Sequence, residues 1–183
     1  MKALLDTCVL YPTVMREMLL GVAQTGAFTP LWSARIIEEW RRAAEKLGRD
    51  GVAQAMSEAA ILGARWPHAE VAYPAALEAR LWLPDAADVH VLAAAIAGSA
   101  DVIVTLNAKD FPRQILAEEG LSRADPDGFL LGVWQADRVA VEDVARKVRD
   151  NARALSGEQW SARGLLKKAR LPRLGKAVSG ALD

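Results

Sequence analysis

Cysteine and histidine are nearly absent from this chain. Its 183 residues hold one cysteine, Cys8, and two histidines, His68 and His90. A single cysteine cannot close an intramolecular disulfide, so a disulfide-stapled secreted domain is excluded. There is no C-x-x-C and no H-E-x-x-H, which counts against a zinc site. No G-x-G-x-x-G follows a strand and no G-x-x-x-x-G-K-S/T occurs, so dinucleotide and P-loop readings have no support. No apolar run reaches the roughly 18 residues that cross a bilayer, and no membrane partner is expected. The N-terminus lacks the ordered charged, apolar and small-residue regions of a signal peptide, and a cytoplasmic location is the expectation.

What the chain does have is acid at the ends of apolar segments. Lys2-Ala3-Leu4-Leu5 runs straight into Asp6-Thr7, the pattern of a short buried strand delivering a carboxylate to the edge of a sheet. Other acids recur at comparable junctions: Glu38 and Glu39 on an amphipathic stretch, Asp85 and Asp88 at a helix start, and Asp110 past a second strand. Oxygen ligands without thiolate or imidazole suit Mg²⁺ or Mn²⁺. Two unit charges at 6 Å repel by about 2.8 kcal/mol even at an effective dielectric near 20. A cluster of such acids therefore needs a cation, basic neighbours or protonation.

Net charge is zero but unevenly spread. Residues 146–176 hold ten Lys/Arg against Asp150 and Glu158, an excess of +8, leaving −8 on the remainder. That asymmetry fits a polyanion-binding tail beside an acidic body, and equally a set of solvated helix faces.

Helical spacing of Val14, Met18, Leu19 and Val22 predicts a helix over 13–24, followed by a short extended segment over 28–32. Ser33 reads as the N-cap of a helix over 34–47, with Ile36, Ile37, Trp40 and Ala44 inward. A further helix is expected from Asp50 to Ala64, extended pieces at 71–73 and 81–83, and a buried helix over 86–97. Residues 101–105 form the clearest central strand, a short β-branched run, followed by a turn at 107–110 and a short helix near 112–116. Helices are expected over 129–136, 139–154 and 158–169, while Pro172, Gly175 and Gly180 weaken any order beyond. Alternating strands and helices predict an α/β fold with a small, mostly parallel sheet covered on both faces, then a helical C-terminal appendage.

Each acid also has a purely structural explanation. Asp6 can cap a helix, one of the two adjacent glutamates can pair with Arg42, Asp85 or Asp88 can cap after Pro84, and Asp110 can serve a turn. Taken singly they read as structural; their recurrence in one α/β layout carries the site. Cys8 reads as packing rather than as a nucleophile. His90, two residues after Asp88 on the other side of the helix, reads first as a packing or hydrogen-bonding residue and second as a helper at the site.

In this order the residues resemble a PIN-domain ribonuclease of the VapC-like toxin group. The resemblance rests on Leu4-Leu5-Asp6-Thr7, on Ser33 through Glu39-Trp40, on Pro84-Asp85-Ala86-Ala87-Asp88, and on Val104 through Phe111. It covers roughly 1–132 as a PIN-like three-layer α/β/α nuclease domain, with 133–183 as a helical basic extension. It implies an acidic quartet of Asp6, Glu39, Asp88 and Asp110, with Mg²⁺ or Mn²⁺ on Asp6, Asp88 and Asp110. Thr7, Asp85, Thr105 and Asn107 would be auxiliary, and Arg163, Lys167, Lys168, Arg170 and Arg173 would contact nucleic acid. The choice of Glu39 over Glu38 follows the family spacing before Trp40; helical phase permits either. Asn107 departs from the family, many of whose members carry Asp there, and a neutral residue ligates a metal more weakly.

The implied activity is metal-dependent hydrolysis of single-stranded or looped RNA, leaving 5′-phosphate and 3′-hydroxyl ends. The implied partners are a cognate antitoxin and a second copy of the chain. The alternative is a non-catalytic nucleic-acid-binding or scaffold protein with a degenerate site, for which Asn107 gives the footing. An aspartyl-phosphate phosphatase would need Asp-x-Asp after the first strand, where this chain has Cys8.

Overall fold

A computed structural model describes residues 1–183, the side chain of Leu47 excepted. In chain order the elements are β1 (Lys2–Leu5), α1 (Thr7–Leu10), α2 (Thr13–Gln24), β2 (Thr29–Leu31), α3 (Ala34–Ala44) and α4 (Gly48–Arg65). There follow α5 (Ala75–Arg80), α6 (Val89–Ala97), β3 (Val102–Val104), α7 (Arg113–Glu118) and β4 (Ser122–Ala124). Helices α8 (Pro126–Ala136), α9 (Arg138–Ser156), α10 (Ala162–Lys168) and α11 (Pro172–Leu182) complete the chain. The four strands form one sheet in the order β2-β1-β3-β4, every pairing parallel. Parallel neighbours require crossover connections, and helices supply them. The result is the three-layer α/β/α fold expected, with helices after it.

The chain divides into two compact units, Met1–Tyr11 with Thr29–Ala124, and Pro12–Phe28 with Asp125–Asp183. In the first, Leu4 and Leu5 sit opposite Ile103 and Val104, and all four are fully buried. β1 and β3 are the central strands, and connections from them run outward in opposite directions, to β2 and to β4. In open α/β sheets the carboxyl ends of strands at such a switch point form the crevice where ligands bind. Here those ends deliver Asp6 and Thr105.

The second unit is helical. α9 presents Val141, Val144, Ala145 and Val148 to its core, a spacing that lines one face of a helix. It packs on α2, where a Cβ on Gly21 would lie 2.6 Å from Val144 Cγ1, so only glycine admits that approach. Phe28 and Phe129 meet edge to face at 4.9 Å.

Most of the expected elements are present, α2 at the residues predicted. Residues 158–161 are not helical; Gly157 ends α9 at φ +71°, and Ser161 caps α10 by accepting from Gly164 N–H at 3.0 Å. Residues 75–80, between the extended pieces expected at 71–73 and 81–83 and given no element from the sequence, form α5 behind Pro74. Ala-Ala-Leu-Glu-Ala-Arg is rich in strong helix formers, which accounts for the helix. Order beyond 172 is the second correction. Pro172 falls in the first turn of α11, where its missing N–H costs nothing, and Gly175 lets α11 approach α10, since a Cβ there would lie 3.1 Å from Leu166 Cβ. Among the described residues no helix is long and apolar enough to cross a membrane.

Candidate metal and catalytic site

Asp6 leaves the end of β1 buried, and its Oδ2 accepts from Thr105 Oγ1 at 2.6 Å and from Cys8 Sγ at 3.1 Å. Thr105 is fixed in turn by accepting from Asn107 N–H at 2.9 Å. The two central strands are thus tied together through the first acid. Burial, then the charge of Asp6, push the Cys8 thiol up to about 12, so it stays protonated and is no nucleophile at neutral pH.

Asp85 and Asp88 come from the turn after Pro84. Asp85 Oδ1 accepts from Ala87 N–H at 2.9 Å, capping the 3₁₀ turn Ala86–Asp88 that leads into α6. Asp88 makes no side-chain cap bond, which leaves its carboxylate for other work. Asp110, buried beyond β3, joins them: Asp85, Asp88 and Asp110 each place a carboxylate oxygen within 4.8 Å of the others. Among the described residues the amine in ion-pair range of Asp110 is Lys109 Nζ at 3.7 Å, on a largely exposed side chain. Asn107 Nδ2 donates to Asp88 Oδ2 at 3.0 Å, a neutral donor where an aspartate would add repulsion.

The electrostatics follow. Burial, then Asp6, Asp85 and Asp110, raise the Asp88 carboxyl to about 6. A carboxylate destabilised by three others is the signature of a place where positive charge is missing. All-oxygen donors at this spacing fit a hard divalent cation, and Asp85, Asp88 and Asp110 are the groups that would hold it. Asp85, read from sequence as auxiliary, lies inside this cluster. Asp6 does not share it but acts on Asp88 through its charge.

Glu39 occupies different surroundings. Its Oε2 accepts from Thr7 Oγ1 at 2.9 Å, and its Oε1 lies 2.8 Å from His90 Nε2 and 3.7 Å from Arg35 Nε. Burial works against its charge, but His90, Thr7 and Arg35 outweigh it and hold the carboxyl below its ordinary range. Glu38 turns away, accepting from Arg41 Nη1 at 2.6 Å and Arg42 Nε at 3.3 Å. Helical phase left these two open; the partners separate them.

The basic residues read from the sequence fall into two groups. Arg173 pairs with Asp125 at 2.6 Å and Asp127 at 3.0 Å, and Asp127 also accepts from the backbone N–H groups of Arg173 and Leu174 at the start of α11. Lys168 lies over the Trp160 ring at 4.6 Å. Arg163, Lys167 and Arg170 are exposed, the first two one turn apart on α10 and Arg170 in the turn after it, at φ +62°.

The sequence offers His90 only as the lesser reading for the site and does not point to Arg35. Arg35 stands one turn before Glu39, a spacing that predicts contact, while nothing in the sequence places α6 beside Glu39.

Neither a curated protein nor a solved structure matches the chain significantly. A family profile does: that of the PIN domain matches residues 2–109, more than half of the chain, spanning β1 through β3 and the turn holding Asn107. The strand ends that carry Asp6 and Thr105, the helix of Glu39 and the turn of Asp85 and Asp88 fall inside that match, and the chain belongs to the PIN domain family.

Proposed function

We propose that the protein is a divalent-metal-dependent endoribonuclease that hydrolyses phosphodiester bonds of single-stranded or looped RNA. The PIN domain is a nuclease-type fold. The observation that carries the specific reading is the convergence of Asp85, Asp88 and Asp110 within 4.8 Å, with the Asp88 carboxyl raised to about 6.

Bound Mg²⁺ or Mn²⁺ would supply Lewis acidity and offset charge on the phosphoryl group under attack. Asp88, Asp110 and Asp85 would hold the cation, and Asp6 would add charge from the end of β1, its carboxylate fixed by Thr105. Asn107 orients Asp88 by its amide. Glu39, held charged, orients the attacking water by accepting its hydrogen bond. Arg163, Lys167 and Arg170 attract the RNA backbone; Lys168 adds charge over Trp160, and Arg173 serves chiefly to pin α11.

We further propose that residues 1–132 do the nuclease work and 133–183 serve as a basic extension. The protein then acts in the cytoplasm as the toxin of a toxin–antitoxin pair, inhibited by a cognate antitoxin and paired with a second copy. The support is the order of motifs shared with VapC-like toxins.

Incubating the purified chain with single-stranded RNA in Mn²⁺ and in chelator tests the reaction. The expected result is metal-dependent internal cleavage leaving 5′-phosphate ends, abolished by Asp88→Asn. Binding of RNA with neither Mn²⁺ binding nor cleavage would establish the scaffold reading instead.

A further inference from the structure

His90 is fully buried, yet neither ring nitrogen makes a hydrogen bond of good geometry. Its Nε2 stands 2.8 Å from Glu39 Oε1, at ion-pair distance but without hydrogen-bond alignment. Its neighbours on α6, Val89, Val91 and Leu92, are buried and apolar. A hydrophobic side chain at this position would fill the space without burying an under-satisfied imidazole, so stability does not account for the residue.

Glu39 needs such a partner. Its side chain is long and one-third exposed, so rotamer freedom works against a single orientation. Thr7 has one hydroxyl proton, placed between Glu39 Oε2 at 2.9 Å and the Ile36 carbonyl at 3.3 Å. Arg35 approaches Oε1 only to 3.7 Å and is drawn to Glu78 at 3.0 Å. His90 is therefore the nearest anchor for Oε1, and it comes from a buried, rigid helix.

We infer that His90 is the positioning residue for Glu39, fixing its carboxylate against Thr7 and apart from the three-aspartate cluster. The inference builds on the nuclease reading, but its first test needs no catalysis. In full-length, metal-free protein the side-chain carboxyl ¹³C resonance of Glu39, assigned through Glu39→Gln, is compared at one pH across His90 variants. His90→Leu should move that resonance, and His90→Gln, whose amide reaches about where Nε2 stands, should return it toward the wild-type position. With Mn²⁺ and RNA, His90→Leu should lower kcat about tenfold at similar KM, and His90→Gln should recover most of it. Mn²⁺ affinity should stay within about twofold in both, because the cluster residues are untouched. If His90→Leu does not fold, His90→Asn, whose shorter amide falls short of Oε1, replaces it in both comparisons.

An unmoved Glu39 resonance in the Leu or Asn variant overturns the inference whatever the kinetics show. So does a fall in Mn²⁺ affinity that matches the fall in kcat, since His90 would then act on the metal. A wild-type protein that cleaves no RNA while the resonance shifts as described leaves the positioning standing and removes the nuclease reading alone.

Discussion

Neutralising Asp88 should stabilise the metal-free protein while destroying its use for a cation. The Asp88 carboxyl is raised from 3.8 to about 6 by burial and by Asp6, Asp85 and Asp110. A folded value above the unfolded one means that the folded chain binds the extra proton between those two values. Stability therefore falls as pH rises through that window, and the penalty is fully present above it. A shift of this size corresponds to roughly 3 kcal/mol before screening, and about 1–2 kcal/mol is the realistic effect for a partly exposed group. Asp88→Asn removes the charge, keeps an oxygen to accept from Asn107, and costs no helix cap, since Asp88 makes no side-chain cap bond.

Thermal melts in chelator at pH 7.5 should therefore show Asp88→Asn melting higher than wild type, by a few degrees for a chain of this size. The gap should shrink as pH falls through about 6 and be nearly gone by about 4. Added Mn²⁺ should reverse the ranking, raising the wild-type midpoint and leaving the variant almost unmoved. A variant that is less stable in chelator, or a gap that does not change with pH, would refute the account of Asp88 as a repelled carboxylate.

Glu39→Gln should reduce RNA cleavage far more than Glu38→Gln, whose loss of two surface ion pairs should cost at most about 1 kcal/mol of stability; equal cleavage by the two at matched folded concentration would reject the assignment. Asn107→Asp should lower metal-free stability by about 1 kcal/mol, by placing a charge beside Asp88, and should tighten Mn²⁺ binding in calorimetric titration; weaker binding would count against a cation at this cluster. Replacing Arg163, Lys167 and Arg170 together with Ala should flatten the dependence of log K for RNA on log salt by about two units, at roughly 0.7 per phosphate contact. An unchanged slope would make that face an antitoxin dock or a plain solvated surface.

Strands β1 and β3 were legible because both are continuous apolar runs ending in polar residues, which is what a strand buried on both faces requires. β4 was not: Ser122-Arg123-Ala124 has no strand propensity, and only its pairing to Val102–Val104 makes it one. α11 was hidden for a related reason. Pro172 and Gly175 read as breakers in isolation, but one occupies a helix start and the other a tight helix contact. Intrinsic propensity reports neither position.

The acids show where sequence reading stops. Composition and spacing indicate that carboxylates collect at the carboxyl ends of the central strands, yet the surroundings of each follow from neighbours distant in the chain. Asp6 is met by Thr105, ninety-nine residues on, and Glu39 by Thr7 and His90 from two other elements. Those partners give Asp6 a hydroxyl donor, and Glu39 a hydroxyl donor with an imidazole at ion-pair distance, while Asp88 has Asn107 as its one side-chain donor among the described residues. Asp85 enters the cluster because three residues around a tight turn bring it beside Asp88, a proximity that its capping role alone does not reveal. A cation is favoured most where carboxylates crowd without donors, and Asp85, Asp88 and Asp110 are the set of three whose oxygens lie close enough to hold one. Glu39, held charged by its own partners, stands outside that set of three.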